Sequence, residues 1–236
     1  MNTKRREYYK KTLGRWIPEY GVLPLITCFL ANCVVYWGAQ HLMQDKKHYD
    51  LTSNFDNQIP FVKEWVIIYI VCYLFWAVNY ILISREGKEK CYRFVFADLI
   101  SRLICGLIFI VFPTTNIRPI VSGNDISSWL MNFIYQIDPA TNLFPSIHCL
   151  VSWFCFVGIR NSKKIPLWYK AFSCIFAVLV FASTQFTKQH YLVDVAGGIL
   201  IAELCYYIAF HTQIYLRIKR FFEWTNRRLF GEINED

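Results

Sequence analysis

The chain has 236 residues, of which 55% are hydrophobic, 18% aromatic and only 18% charged, with a formal net charge of +8. Soluble domains carry about 25% charged and 45–50% apolar residues. A single soluble core is therefore excluded, as are disorder, a collagen-like repeat and a coiled coil, which need few aromatics or a strong compositional bias. An apolar chain with a cationic excess implies two solvents: lipid for most of its length and a basic aqueous edge.

A bilayer-spanning helix needs about 20 mostly apolar residues. Between Glu19 and Asp45 lie 25 uncharged residues, and between Glu64 and Arg85 lie 20, so each predicts a span. The first is read as a membrane helix rather than a signal peptide, because it is long and lacks a small-x-small cleavage pattern before the polar loop. Leu103–Phe112 is apolar but short. It becomes a span only if its helix starts near Tyr92 and takes in Asp98 and Arg102, which are four apart and can pair on one face. That pair is expected near the cytoplasmic membrane edge. Between Asp138 and Arg160 lie 21 uncharged residues, and between Lys170 and Lys188 lie 17. The last span, His190–Phe210, contains His190, Asp194 and Glu203. Charge within a span needs a reason, and Glu203 is expected between helices or bonded to a neighbour. Ile214–Phe230 mixes aromatics with cations, as an amphipathic surface helix does. The plainer expectation is that it continues the last span and anchors it.

Six spans make the charge distribution alternate. The N-terminal segment, the second and fourth loops and the C-terminal tail hold 19 of the 25 Lys and Arg residues, whereas the other loops hold only Lys46, Lys47, Lys63, Arg118 and Lys188. Arg102 lies within a span. Lys/Arg-rich loops stay in the cytoplasm, which predicts both termini inside and loops one, three and five outside or in a lumen. The expected fold is all-α: a polytopic protein with six transmembrane helices. It divides into a basic cytoplasmic segment at 1–20, a six-helix membrane domain at 21–216 and a basic cytoplasmic tail at 217–236. The nine cysteines avoid the outward loops and form no CxxC pair, so neither zinc nor a disulfide framework is indicated. The cations are scattered over short segments, so nucleic acid is not an expected partner, and no protein partner is evident.

The outward side gathers the chemistry. Loop three is about 30 residues long, holds Arg118-Pro119 and ends in Pro145-Ser146-Ile147-His148. Loop five runs from Ser183 to Asp194 through Lys188 and His190. Spans four and six both run inward, so both helix N-termini face the outer side, where free N–H groups favour anions such as phosphate. Pro145 suits the first turn of span four. His190 and Asp194, four apart, share a helix face. The carboxylate can fix the imidazole tautomer and leave the other nitrogen as nucleophile or base, with His148 as the acid partner. Arg118 and Lys188 supply positive charge, and Ser146 a hydroxyl and an N–H. His-x3-Asp also suits a metal, but cysteines and further carboxylates are missing nearby in the sequence, and no metal is expected. Arg118 alone would suit a lipid headgroup.

These residues resemble the type 2 phosphatidic acid phosphatase superfamily, whose signature is written K-x6-R-P, P-S-G-H and S-R-x5-H-x3-D. The chain has Arg118-Pro119, Pro145-Ser146-Ile147-His148, and Ser183-Thr184 followed by His190 and Asp194. It departs at Val111, Ile147 and Thr184, where the family has Lys, Gly and Arg. In motif style it is most similar to the branch containing inositol-phosphorylceramide and sphingomyelin synthases. The resemblance implies a metal-independent, cofactor-free enzyme that cleaves a membrane lipid phosphate through a phosphohistidine. His190 is then the nucleophile, Asp194 its orienting partner and His148 the general acid and base, with Arg118, Lys188 and Ser146 binding phosphate. A plasma-membrane location with an outward or lumenal site follows. A lipid phosphotransferase using the same triad is the alternative. A non-catalytic lipid binder or transporter is the third, although transporters place ionisable groups near the midplane and these lie near one edge.

Overall fold

The structure is a computed structural model that describes residue 9 and residues 11–230. Lys4, Arg5, Arg6 and Lys10 of the basic N-terminal segment, and residues 231–236 of the tail, lie outside the described residues. The helices in chain order are α1 (Glu19–Met43), α2 (Asn54–Gln58), α3 (Val66–Ser84), α4 (Lys88–Val111), α5 (Ile126–Ile137), α6 (Ile147–Arg160), α7 (Leu167–Phe186), α8 (Leu192–His211) and α9 (Leu216–Phe230). Two-residue strands, β1 (Tyr49–Asp50) and β2 (Thr114–Thr115), pair in parallel and tie the loop after α1 to the loop after α4.

Among the described residues, five helices are long and apolar enough to cross a membrane: α1, α3 with its preceding turn, α4, α7 and α8. Their outward faces carry large apolar side chains such as Phe29, Leu74, Leu103, Ile175 and Leu200. That pattern suits lipid contact, not water. The segment expected as span four forms a helix of only 14 residues. It rises about 21 Å, short of a hydrocarbon core of about 30 Å. The missing length is spent upstream, where residues 139–146 form a loop containing a cis Phe144–Pro145 bond. The long loop three is also not irregular throughout. It contains α5, whose Asp125 cap accepts the Ser128 N–H at 3.1 Å.

The core is built around α4 and α6. Helix α4 packs on α1 and α8, and α6 packs on α3, α7 and α8. Close approach is possible where glycine removes a side chain. A Cβ on Gly158 would collide with the Ile83 side chain of α3, and one on Gly198 would meet the Ser146 carbonyl oxygen at 2.7 Å. The second contact is with backbone, so α8 and the start of α6 touch main chain to main chain.

Asp98 and Arg102 do pair, with Nη2 to Oδ1 at 2.8 Å, and Tyr80 donates to the same carboxylate oxygen at 2.6 Å. Their place differs from the expected membrane edge. Both are buried in the middle of the 24-residue α4, because a charge kept from lipid needs a partner of opposite sign inside the bundle. Glu203 is held by both terminal nitrogens of Arg160, at 2.6 and 3.0 Å, and by the Trp153 indole at 2.9 Å.

The C-terminal stretch does not continue α8. That helix stops at His211, and α9 begins at Leu216 and packs back on α1 and α4. Phe222 and Asn226 are buried there, and the Phe222 ring lies parallel to that of Tyr92, 6.0 Å away between centroids. The physical reason is that Phe222 and Asn226 have partners on the bundle that a straight extension would leave in water.

Replacing Gly198 by valine is expected to destabilise the fold by about 1–3 kcal/mol, the usual range for overpacking. The check is a fall in the thermal midpoint of the detergent-solubilised protein relative to the parent chain.

Candidate active site

Three separated segments meet above the N-termini of α6 and α8. Ser146 caps α6: its hydroxyl accepts the Cys149 N–H at 3.2 Å, and its own N–H donates to the Asp194 carbonyl at 3.1 Å. Pro145 therefore precedes the cap instead of occupying the first helical turn. His148 follows as the second residue of α6.

His190 is not on a helix. Helix α8 starts at Leu192, with Tyr191 as its cap and Asp194 in its first turn. The expected His–Asp contact forms all the same, by a different geometry. Asp194 folds back so that Oδ2 accepts the Tyr191 N–H at 2.9 Å and lies 3.3 Å from His190 Nδ1. The carboxylate is fully buried. With Nδ1–H directed at Asp194, Nε2 of His190 is left with a free lone pair. The turn that presents His190 is fixed from below, where the N–H groups of Gln189 and His190 both donate to the Thr184 carbonyl, at 2.9 and 3.1 Å.

The Thr114–Arg118 segment binds the other two segments together. Thr114 Oγ1 accepts the Phe144 N–H at 2.8 Å, and the Asn116 side-chain amide donates to the Lys188 carbonyl at 2.8 Å. Arg118 donates to the Asp138 carbonyl and to Gln189 Oε1, and its guanidinium lies over the Tyr135 ring at 4.7 Å.

The result is a narrow cleft lined by Tyr36, Arg118, Asp138, Gln189 and both histidines. The His148 and His190 rings face each other across it, 5.7 Å apart between centroids. Each histidine is only 8% exposed. Around His148 the hydrogen bonds define one proton arrangement. Tyr69 donates its single proton to Asp138 Oδ2 at 2.6 Å, so towards His148 Nδ1, 3.4 Å away, it can only accept. Nδ1 therefore carries the proton in the neutral ring, and Nε2 accepts from Tyr73 at 3.1 Å. Tyr36 donates to the other oxygen of Asp138. Burial raises the Asp138 carboxyl, but His148, the two tyrosine hydroxyls and Arg118 outweigh it and hold the group below its ordinary range. Asp138 is thus an ionised anchor at one remove from His148.

His148, His190, Asp194 and Arg118 are brought together as the sequence anticipates. Lys188 is not brought into the cleft. Its backbone is left-handed, with φ of 53°, and its ammonium donates to the carbonyls of Asp56 and Ile59, at 2.8 and 2.5 Å. Burial draws that ammonium below its ordinary pKa, partly opposed by Asp56. Ser146 is at the site, but its hydroxyl is buried and serves as the helix cap. Val111 is 78% exposed at the end of α4, and Thr184 is buried beneath the His190 turn. Neither position offers a cation.

Asp138, Tyr69, Tyr73 and Gln189 belong to the site and were missed, as was Asp56. Asp138 also corrects the expectation that no further carboxylate lies near the histidines. Asp56 Oδ1 accepts the Leu192 N–H at 2.8 Å, satisfying the start of α8 from another loop. Its sequence signal is the S-x-x-D pattern Ser53–Asp56, which does form a capping box.

The sequence profile of the PAP2 superfamily matches residues 55–208, more than half of the chain. The chain belongs to the PAP2 superfamily, the type 2 phosphatidic acid phosphatases. No curated protein and no solved structure matches it. The matched region contains Arg118, His148, His190 and Asp194, all of α6 and most of α8. PAP2 membership supports a phosphatase-like activity on lipid phosphates in general, and the apolar helices are those of a multi-pass membrane protein.

Lys188→Met is expected to lower stability by about 1.5–3 kcal/mol, the range for hydrogen bonds involving a charged group, and to leave KM for a phosphoester little changed. Thermal unfolding and steady-state kinetics of the same preparation check both halves. A large rise in KM at unchanged stability would return Lys188 to the phosphate.

Proposed function

We propose that the protein is an integral-membrane lipid phosphatase that works through a phosphohistidine. The observation that carries this reading is the pair of histidines facing each other at 5.7 Å, with Asp194 on the far nitrogen of one and the Asp138–Tyr69 pair on the far nitrogen of the other. In the first step Nε2 of His190 attacks phosphorus, the P–O bond to the lipid breaks, and protonated His148 gives its Nε2 proton to the departing oxygen. In the second, His148 takes a proton from water, the hydroxide attacks phosphorus, the P–N bond breaks and phosphate leaves. Asp194 keeps the His190 tautomer and stabilises the charged ring. Asp138, through Tyr69, orients His148. Arg118 faces the charge that develops on the phosphoryl oxygens, the largest expected contribution in such sites. Tyr73, which donates to His148 Nε2 at 3.1 Å, has to give way to the leaving oxygen. The scheme uses side-chain charge alone, so it needs neither metal nor cofactor.

A lipid rather than a soluble substrate is supported by the rim. Ile117 and Ile120 are about nine-tenths exposed beside Arg118, at 89% and 95%. On α5, Ile126, Trp129, Phe133 and Ile137 form one exposed apolar face leading to Asp138. Such a rim suits acyl chains that stay in the leaflet while the headgroup enters the cleft. The alternating cation distribution supports six membrane segments, with α6 as the short one, both termini in the cytoplasm and the cleft at the outer or lumenal face of a membrane such as the plasma membrane.

A second reading has one observation in its favour. Among the described residues Arg118 is the only cation lining the cleft, since Val111 and Thr184 replace the family's Lys and Arg. A singly charged phosphodiester needs less positive charge than a free phosphate. This supports transfer of a phospho-headgroup to a lipid alcohol, as in the inositol-phosphorylceramide and sphingomyelin synthase branch.

Purified protein assayed on a panel of lipid phosphates is expected to release phosphate with or without chelator. His190→Ala is expected to abolish release, and Asp138→Asn to slow it roughly 10-fold or more, as for a weakened general acid. Activity retained by His190→Ala would sink the mechanism. Lipid product without free phosphate, once an alcohol acceptor is supplied, would favour transfer.

A further inference from the structure

Helix α9 lies at the end of the bundle away from the catalytic cleft, against the N-terminal turns of α1 and α4. One side of it is fixed. Tyr215, Phe222 and Asn226 are buried, Asn226 reaches the Tyr92 hydroxyl at 3.4 Å, and Lys219 and Tyr215 both bond Glu89. The other side is uncovered. At 100° per residue, Arg217, Arg220, Phe221, Trp224, Arg227 and Arg228 fall within an arc of about 120°. All six are exposed, Phe221 at 58% and Trp224 at 52%.

The composition of this arc is selective. It holds four arginines and no carboxylate. The helix's one acid among the described residues, Glu223, flanks the arc and is bonded to Lys88 at 3.0 Å. No salt bridge is seen to any of the four arginines among the described residues. The Arg228 guanidinium lies 3.9 Å from the Trp224 ring centroid, an aromatic and a cation sharing one spot. A cytoplasm-facing helix that needed only solubility would not expose Phe and Trp between its charges. A helix that needed only apolar contact would not present four unneutralised guanidinium groups.

We propose that this face of α9 docks on the anionic phosphate headgroups of the leaflet opposite the catalytic cleft. The arginines bind phosphate oxygens in bidentate fashion, and Phe221 and Trp224 enter the headgroup boundary, where amphipathic aromatic side chains are stable. Because Phe222 and Asn226 hold the helix before any lipid arrives, the surface is preorganised and does not have to fold on binding. Each arginine near an anionic surface is expected to contribute about fivefold in affinity, and the attraction is screened by salt.

The test uses the full chain in nanodiscs of phosphatidylcholine alone and of phosphatidylcholine with phosphatidylserine. Amide hydrogen exchange is read across residues 216–228, with the quadruple variant R217Q/R220Q/R227Q/R228Q and the milder R220Q/R227Q in parallel. The parent is expected to show exchange at least tenfold slower in the anionic discs, with the difference removed by high salt. Both variants should lose most of it and keep their activity in phosphatidylcholine discs, since none of the four residues is near the cleft. Equal exchange in the two discs would overturn the proposal, as would an equal lipid response in parent and variants. Protection by added polyglutamate but not by phosphatidylserine would assign the face to an acidic protein segment and would also overturn it.

Discussion

The geometry of the candidate site depends on one contact, the meeting of the N-termini of α6 and α8. Gly197 and Gly198 have no side chains, so the Ser146 backbone can lie against α8. A Cβ on Gly197 would meet the Phe144 ring at 2.6 Å, just as one on Gly198 would meet the Ser146 carbonyl. From that contact the Ser146 N–H reaches the Asp194 carbonyl, and the Asp194 side chain caps its own helix and orients His190. Filling the space at Gly198 would push the start of α6, which carries His148, away from α8. A 1 Å misplacement in such a site can be worth 100-fold in rate.

Loops from elsewhere in the chain hold that junction. Asp56 closes the first turn of α8, and its backbone carbonyl receives Lys188. Thr114 and Asn116 pin the segments before His148 and before His190. The chemistry thus sits on loops, but each loop is tied by buried hydrogen bonds to a helix end. Deeper in the bundle the same economy applies to charge. Asp98 Oδ1 accepts from both Arg102 and Tyr80, and Glu203 accepts from Arg160 and Trp153, so these two acids each meet a cation and a neutral donor. Breaking the buried Asp98–Arg102 pair costs about 3–5 kcal/mol, and that pair therefore reads as structural.

The sequence made the membrane class, the main helices and the residues Arg118, His148, His190 and Asp194 legible, because hydropathy and short motif spacings are local properties. What it hid was non-local or conformational. Asp138 is ten residues from His148 and Tyr69 is 79 away, and only packing reveals that they share a proton arrangement. Lys188 lies two residues from His190, so spacing places it at the phosphate. A left-handed backbone turns it away, and no composition argument reports φ. The short α6 was hidden because an uncharged loop and an uncharged helix have the same hydropathy. The reversal of α9 was hidden because Phe222 and Asn226 look no different from their neighbours until Tyr92 is beside them.

The central claim is that phosphorus becomes bonded to nitrogen on His190. Rapid acid-free quenching of the enzyme during turnover, followed by peptide mass spectrometry, measures this directly. The account predicts a phosphoryl group, or a phospho-headgroup if transfer is the reaction, on the peptide carrying His190. The label should be labile to acid, stable to base and absent from His190→Ala. Turnover with no covalent adduct on His190, or with the adduct on His148, would contradict it.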